Sequence, residues 1–141
     1  MTLTLETART IIAETRAKGR SLELKPLSVV VLDAGGNILA FEREDGASPG
    51  RFQIAHGKAY GAVMLGMPGS AQMARAESQA YFMGAANGAF GGQLIPVPGG
   101  VLVQDGQGVT IGAVGVTGDT SDHDAAAAEA GIAAAGLTAL A

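Results

Sequence analysis

Few residues in this chain can do chemistry. The 141-residue sequence holds two histidines and no cysteine, so thiolate catalysis, disulfides, iron–sulfur clusters and Cys-type zinc sites drop out together. His56 lies in Ile54-Ala55-His56-Gly57-Lys58-Ala59-Tyr60. In helical geometry His56 and Tyr60 share a face, and Lys58 lies about 160° around the axis from His56. Neutral imidazole is the commonest transition-metal donor and titrates near neutrality, so His56 is a candidate axial metal ligand or general acid–base group. A histidine at a helix surface or subunit contact explains the same pattern without chemistry. Lys58, alone among small apolar residues, either snorkels to water or, partly desolvated, binds a carboxylate or propionate. Arg51, near the start of the same stretch, is the more ordinary anion contact.

The second histidine sits in Thr117-Gly118-Asp119-Thr120-Ser121-Asp122-His123-Asp124. Asp119, Asp122 and His123 are oxygen and nitrogen donors that could hold a divalent cation with Asp124. Helix capping explains the same residues without a metal: Thr120 or Ser121 caps, and Asp122 and Asp124 place negative charge in the first turn. Gly99 and Gly100, after Pro98, and Gly115, on a strand, leave room for a ligand, a helix or another backbone. They are the candidate main-chain contacts to a bound cofactor. Asp33 is explained as a turn former, and Met64, Met67, Met73 and Met83 as packing. No Ser-His-Asp order, nucleophile elbow, GxGxxG or P-loop occurs, which weakens a hydrolase, dinucleotide-binding or NTPase reading.

The elements that must position these residues follow from pattern. Leu5 to Lys18 is an amphipathic helix with Gly19 as its C-cap. Ser28 to Leu32 and Ile38 to Phe41 form a hairpin around Asp33–Asn37, followed by a loop over residues 42–50. Arg51 to Leu65 is a helix with a small-residue side, and a third helix runs from Ser70 to about Ala80. Tyr81 to Phe90 is apolar, but Gly84 and Gly88 make it irregular. Gln93 to Ile95 is a short strand. A closing hairpin pairs Val97–Val103 with Val109–Val116 around Asp105-Gly106-Gln107-Gly108, and a helix from Ser121 to about Ala135 completes the chain. Two hairpins separated by helices imply one α/β (α+β) domain with a mainly antiparallel sheet.

Composition sets the remaining bounds. Hydrophobic residues make up 48 % and aromatic residues only 4 %, so the core is built from aliphatic side chains. The formal charge is −4 with scattered cations, which argues against a nucleic-acid partner. Glu6, Arg9, Glu14, Arg16 and Lys18 break up the first twenty residues, which do not read as a signal peptide, and no apolar run reaches membrane-spanning length. The expectation is a cytoplasmic protein with no membrane partner.

Four stretches taken together resemble a family: Val31-Leu32-Asp33-Ala34-Gly35-Gly36, Ala55-His56-Gly57-Lys58-Ala59, Pro96-Val97-Pro98-Gly99-Gly100-Val101, and Ile111 to Gly118 with the closing Asp124. In this order, over essentially the whole chain, they resemble the GlcG/HbpS-like family, which also forms the C-terminal part of PduO-type proteins. The resemblance implies a profilin-like fold, a central antiparallel sheet flanked by helices, assembled into dimers or larger homo-oligomers. It implies haem binding in several members, for sensing, sequestration or degradation of haem, and small-molecule catabolism in others. Haem-binding members use a histidine early in the chain, and the first helix here has none. Where the chain departs from that pattern, His56 in the Ala-His-Gly-Lys-Ala stretch is the substitute candidate, with Lys58 or Arg51 meeting a propionate. One alternative is an enzyme or accessory protein acting on a small anionic metabolite, with His56 as acid or base and Lys58 as its electrostatic partner; another is a branch that binds a different small molecule, with His56, Lys58, Asp119 and Asp122 lining a polar pocket.

Overall fold

The structure is a computed structural model that describes residues 1–141. Next to the middle strand of its sheet lies β1 (Ser28–Asp33), a run of β-branched residues buried on both faces up to Leu32. The other strands are β2 (Ile38–Arg43), β3 (Gly100–Gln104), β4 (Thr110–Thr117) and β5 (Thr138–Leu140). The sheet order is β2-β1-β4-β3-β5, and every neighbouring pair is antiparallel. This is the sheet expected from the two hairpins, with the hairpins joined through β1 and β4.

Alternation along the strands divides the core in two. Val29, Val31, Val101 and Val103 pack against α1 (Leu5–Ser21) and α5 (Ser121–Ala134), through Ile11, Ile12, Ala127, Ala128 and Ile132. Val30, Leu32, Leu102 and Ala113 face the opposite way and meet Ala55, Ala59 and Ala62 of α2 (Arg51–Leu65). The α2 side is thin because both surfaces are small. A Cβ on Gly115 would stand 2.0 Å from the Ala55 carbonyl oxygen, and one on Gly100 would stand 2.2 Å from that of Lys58. These two glycines seat α2 directly on the strands, which fixes the position of every side chain the helix carries.

Four local expectations need correction. Helix α1 runs through Gly19 to Ser21; Gly19 is buried under Leu27 and serves packing rather than capping. Residues 80–89 form α4 (Ala80–Ala89), which follows α3 (Gly69–Ser78). Two helical glycines cost about 1 kcal/mol each relative to alanine, and tertiary contacts offset this. Met83 is buried, the Arg75 guanidinium lies 4.1 Å from the Phe82 ring centroid, and the Asn87 side chain accepts a hydrogen bond from Leu94 N at 2.9 Å. Residues 93–95 are not a strand: Ile95 N donates to Gly57 O at 3.3 Å, so the segment lies on α2 instead of joining the sheet. The edge strand β5, which the sequence pattern did not indicate, pairs with β3.

Candidate functional site

Helix α2 sorts its side chains by direction. Its alanines face the sheet, and Phe52, His56 and Tyr60, spaced by four, share one flank. The His56 and Tyr60 rings are stacked, with centroids 5.3 Å apart and planes at 20°, and Phe52 lies 5.7 Å from His56 on the other side. His56 lines a half-open concavity of about 530 Å³, whose apolar walls are Ile38, Phe52, Ile54 and Ile95 and whose polar lining is Gln53 and Gln93. That volume is in the range of small-molecule sites. Partial burial pushes the imidazole pKa below its ordinary value, so the ring is neutral at pH 7 with a nitrogen lone pair free to bind. The single side-chain hydrogen bond made by a histidine belongs to His123, not His56.

The structure does not bring Lys58 to this site. Its side chain is 3 % exposed and reaches the far side of α2, where the ammonium donates to Val116 O at 3.0 Å and to Asp124 Oδ2 at 3.2 Å. Asp124 is equally buried and its Oδ1 accepts from Asp119 N at 3.0 Å. Burial lowers the Lys58 pKa and raises that of Asp124, with the attraction between the two opposing both shifts. Lys58 is thus a buried staple joining α2 to α5 across the end of β4, neither a snorkelling lysine nor an electrostatic partner of His56. Arg51 is half-buried and also turned away from His56, donating to Ser48 Oγ at 3.1 Å and Thr117 Oγ1 at 2.9 Å.

The remaining candidates separate. Gly115 lies under α2, where no ligand reaches it. Gly99 and Gly100 line a different hollow of about 250 Å³, shared with Ser70, Asp122 and Glu129. Asp119 and His123 pair at 2.7 Å, yet no group of three His, Asp or Glu side chains is placed to hold a metal ion. The donors of the candidate cation site do not converge, because the acids serve the helix start: Thr120 accepts from His123 N, and Asp119 accepts from Lys25 N and Thr120 N. These bonds hold the Asp119 carboxyl far below the usual carboxylate range, with the backbone N–H of Lys25 the largest cause. A depressed folded-state pKa contributes stability above the unfolded value that disappears as pH falls below it. Between about pH 4 and pH 2, an Asp119→Asn chain is therefore expected to lose less stability than the parent. Melting temperatures across that window check it, and equal slopes would contradict it.

His56 and its shared face with Tyr60 are legible in the sequence; the placement of Ile38, Gln93 and Ile95 around them is not. Gly57 was the available signal, because a Cβ there would stand 2.4 Å from Ile95 Cγ1 and 2.6 Å from Gln93 O.

Solved structures share this architecture. PduOC in its haem complex is 20 % identical, with 97 % of each chain covered and a TM-score of 0.85. A double mutant of Streptomyces reticuli HbpS is 29 % identical, covering 94 % of this chain and 86 % of that one, with a TM-score of 0.79. The Klebsiella pneumoniae protein ORFY is 26 % identical, covering 95 % and 90 %, with a TM-score of 0.82. No protein with a curated description matches in sequence. The family profile described as "Haem degrading protein HbpS-like" matches residues 3–133. With nearly its whole length matched, and with the five-stranded antiparallel sheet and flanking helices of these structures, the chain belongs to the HbpS-like family.

Proposed function

We propose that this protein binds haem, with His56 as the residue whose imidazole would hold the iron. The observation that carries the reading is a neutral imidazole, free of protein hydrogen bonds, in the wall of a mostly apolar concavity. The residues fit the group: imidazole suits iron, and Phe52, Ile54 and Ile95 offer apolar surface to a porphyrin. PduOC, which shares the fold, is itself described as a haem complex. The propionates would meet Gln53, Gln93 or water, since Lys58 and Arg51 are engaged elsewhere. Bound iron would supply redox and ligand-exchange chemistry; the protein's part is to hold the ring, offer one nitrogen and exclude water from one face. The homo-oligomeric assembly implied by the resemblance is part of the same proposal, and sedimentation of the purified chain reads it.

The reading of an enzyme for an anionic metabolite loses its electrostatic partner with the burial of Lys58. Titration with hemin separates the two. The parent chain is expected to shift the Soret band and His56→Ala to lose at least tenfold in affinity, about 1.4 kcal/mol. Equal affinity and an identical band in His56→Ala would overturn His56 as the ligand.

A further inference from the structure

The ring contacts of His56 reach one step past the ligand itself, on the reading that His56 binds the iron. Metal-bound histidines are ordinarily oriented by a hydrogen bond from the second ring nitrogen to a carboxylate, a carbonyl or a water. Within this protein only His123 makes a bond of that kind, to Asp119. His56 is flanked by rings instead, Tyr60 stacked at 5.3 Å and Phe52 tilted by 31° at 5.7 Å. Both flanking rings are fixed from outside the helix. Phe52 meets Phe41 of β2 edge-on at 4.9 Å, and Tyr60 meets Phe90 edge-on at 6.3 Å. The ring of Tyr60 also lies against the β1–β2 turn, where a Cβ on Gly36 would come within 3.4 Å of two of its carbons. Turning the imidazole therefore displaces a ring on one side or the other, and each displaced ring meets another element of the fold. Aromatic pairs of this kind contribute about 0.5–1.5 kcal/mol beyond the area they bury.

From this geometry we propose that Phe52 and Tyr60 are positioning residues that fix the plane of the His56 imidazole by ring contact, in place of a hydrogen bond to its second nitrogen. Neither residue binds iron in this arrangement. What matters at position 60 is the ring, so the Tyr60 hydroxyl is dispensable and an aliphatic side chain of similar bulk is not a substitute.

Hemin titration and electron paramagnetic resonance of the ferric protein test this in Tyr60→Phe, Tyr60→Leu, Phe52→Leu and His56→Ala, with NMR of the His56 ring in the hemin-free chains as a readout independent of iron. Tyr60→Phe is expected to match the parent. Tyr60→Leu and Phe52→Leu are expected to weaken hemin binding by about tenfold, the order seen when an orienting partner of a metal-bound histidine is lost. They should also broaden both the ferric signal and the hemin-free His56 ring resonances. Unchanged affinity and line widths in the two leucine variants, with iron–imidazole coordination lost in His56→Ala, would overturn the positioning role alone. Coordination that survives in His56→Ala would overturn the ligand assignment and the positioning role together.

Discussion

Lys58→Ala is expected to lower the melting temperature by roughly 10–15 °C while leaving the hemin affinity of the folded protein unchanged. The substitution leaves the Asp124 carboxylate, 2 % exposed, without its cation. Removing one partner of a buried pair costs about 3–5 kcal/mol, because an uncompensated charge stays behind. A domain of this size shifts by about 3 °C per kcal/mol. Replacing both partners, as Lys58→Met with Asp124→Leu, is expected to recover most of the loss, since burying the charges is itself costly. Thermal unfolding of the single and double variants measures this. A Lys58→Ala chain that melts with the parent but binds hemin more weakly would return Lys58 to the propionate role that its burial excludes.

The second large effect is expected at Gly115. Its Cβ would press on the Ala55 carbonyl oxygen and on the Ala59 methyl, at 2.0 and 3.0 Å. An alanine there must lift α2 by an ångström or more or distort β4, and overpacking of this kind costs about 1–3 kcal/mol. Ala55 precedes His56, so the displacement passes to the imidazole and hemin affinity should fall with stability. Gly84 is the control, a helical glycine in α4 with open space where its Cβ would be. Gly84→Ala is expected to stabilise the chain by about 0.5–1 kcal/mol, the difference in helix propensity alone. Equal and small effects at the two sites would mean that α2 is not seated on the glycines.

These residues also show what a one-dimensional pattern conveys. The β-branched run of β1 and the Asp33 turn made the first hairpin legible, and the small-residue side of α2 announced a helix lying close to something. The bounds Arg51–Leu65 follow from that pattern and agree with the structure. Lys58 was ambiguous because a lysine among alanines and glycines reads the same whether it snorkels or is buried. The residue that decides, Asp124, is 66 positions away and looks like an ordinary first-turn acid. The His56 wall was hidden for a similar reason: Gln93 and Ile95 come from a segment with strand-like composition that Gly57 draws onto the helix. Helix α4 escaped because tertiary contacts at Met83 and Asn87 outweigh the propensity of two glycines. Three-residue β5 carries too little pattern to register.

Crystals grown with hemin show where the porphyrin sits and which side chain holds its iron. Porphyrin density is expected in the concavity between α2 and residues 92–95, against Phe52 and Ile95, with the His56 ring on the iron. Porphyrin in the hollow of Gly99, Gly100 and Asp122, or iron bound by any side chain other than His56, would contradict it.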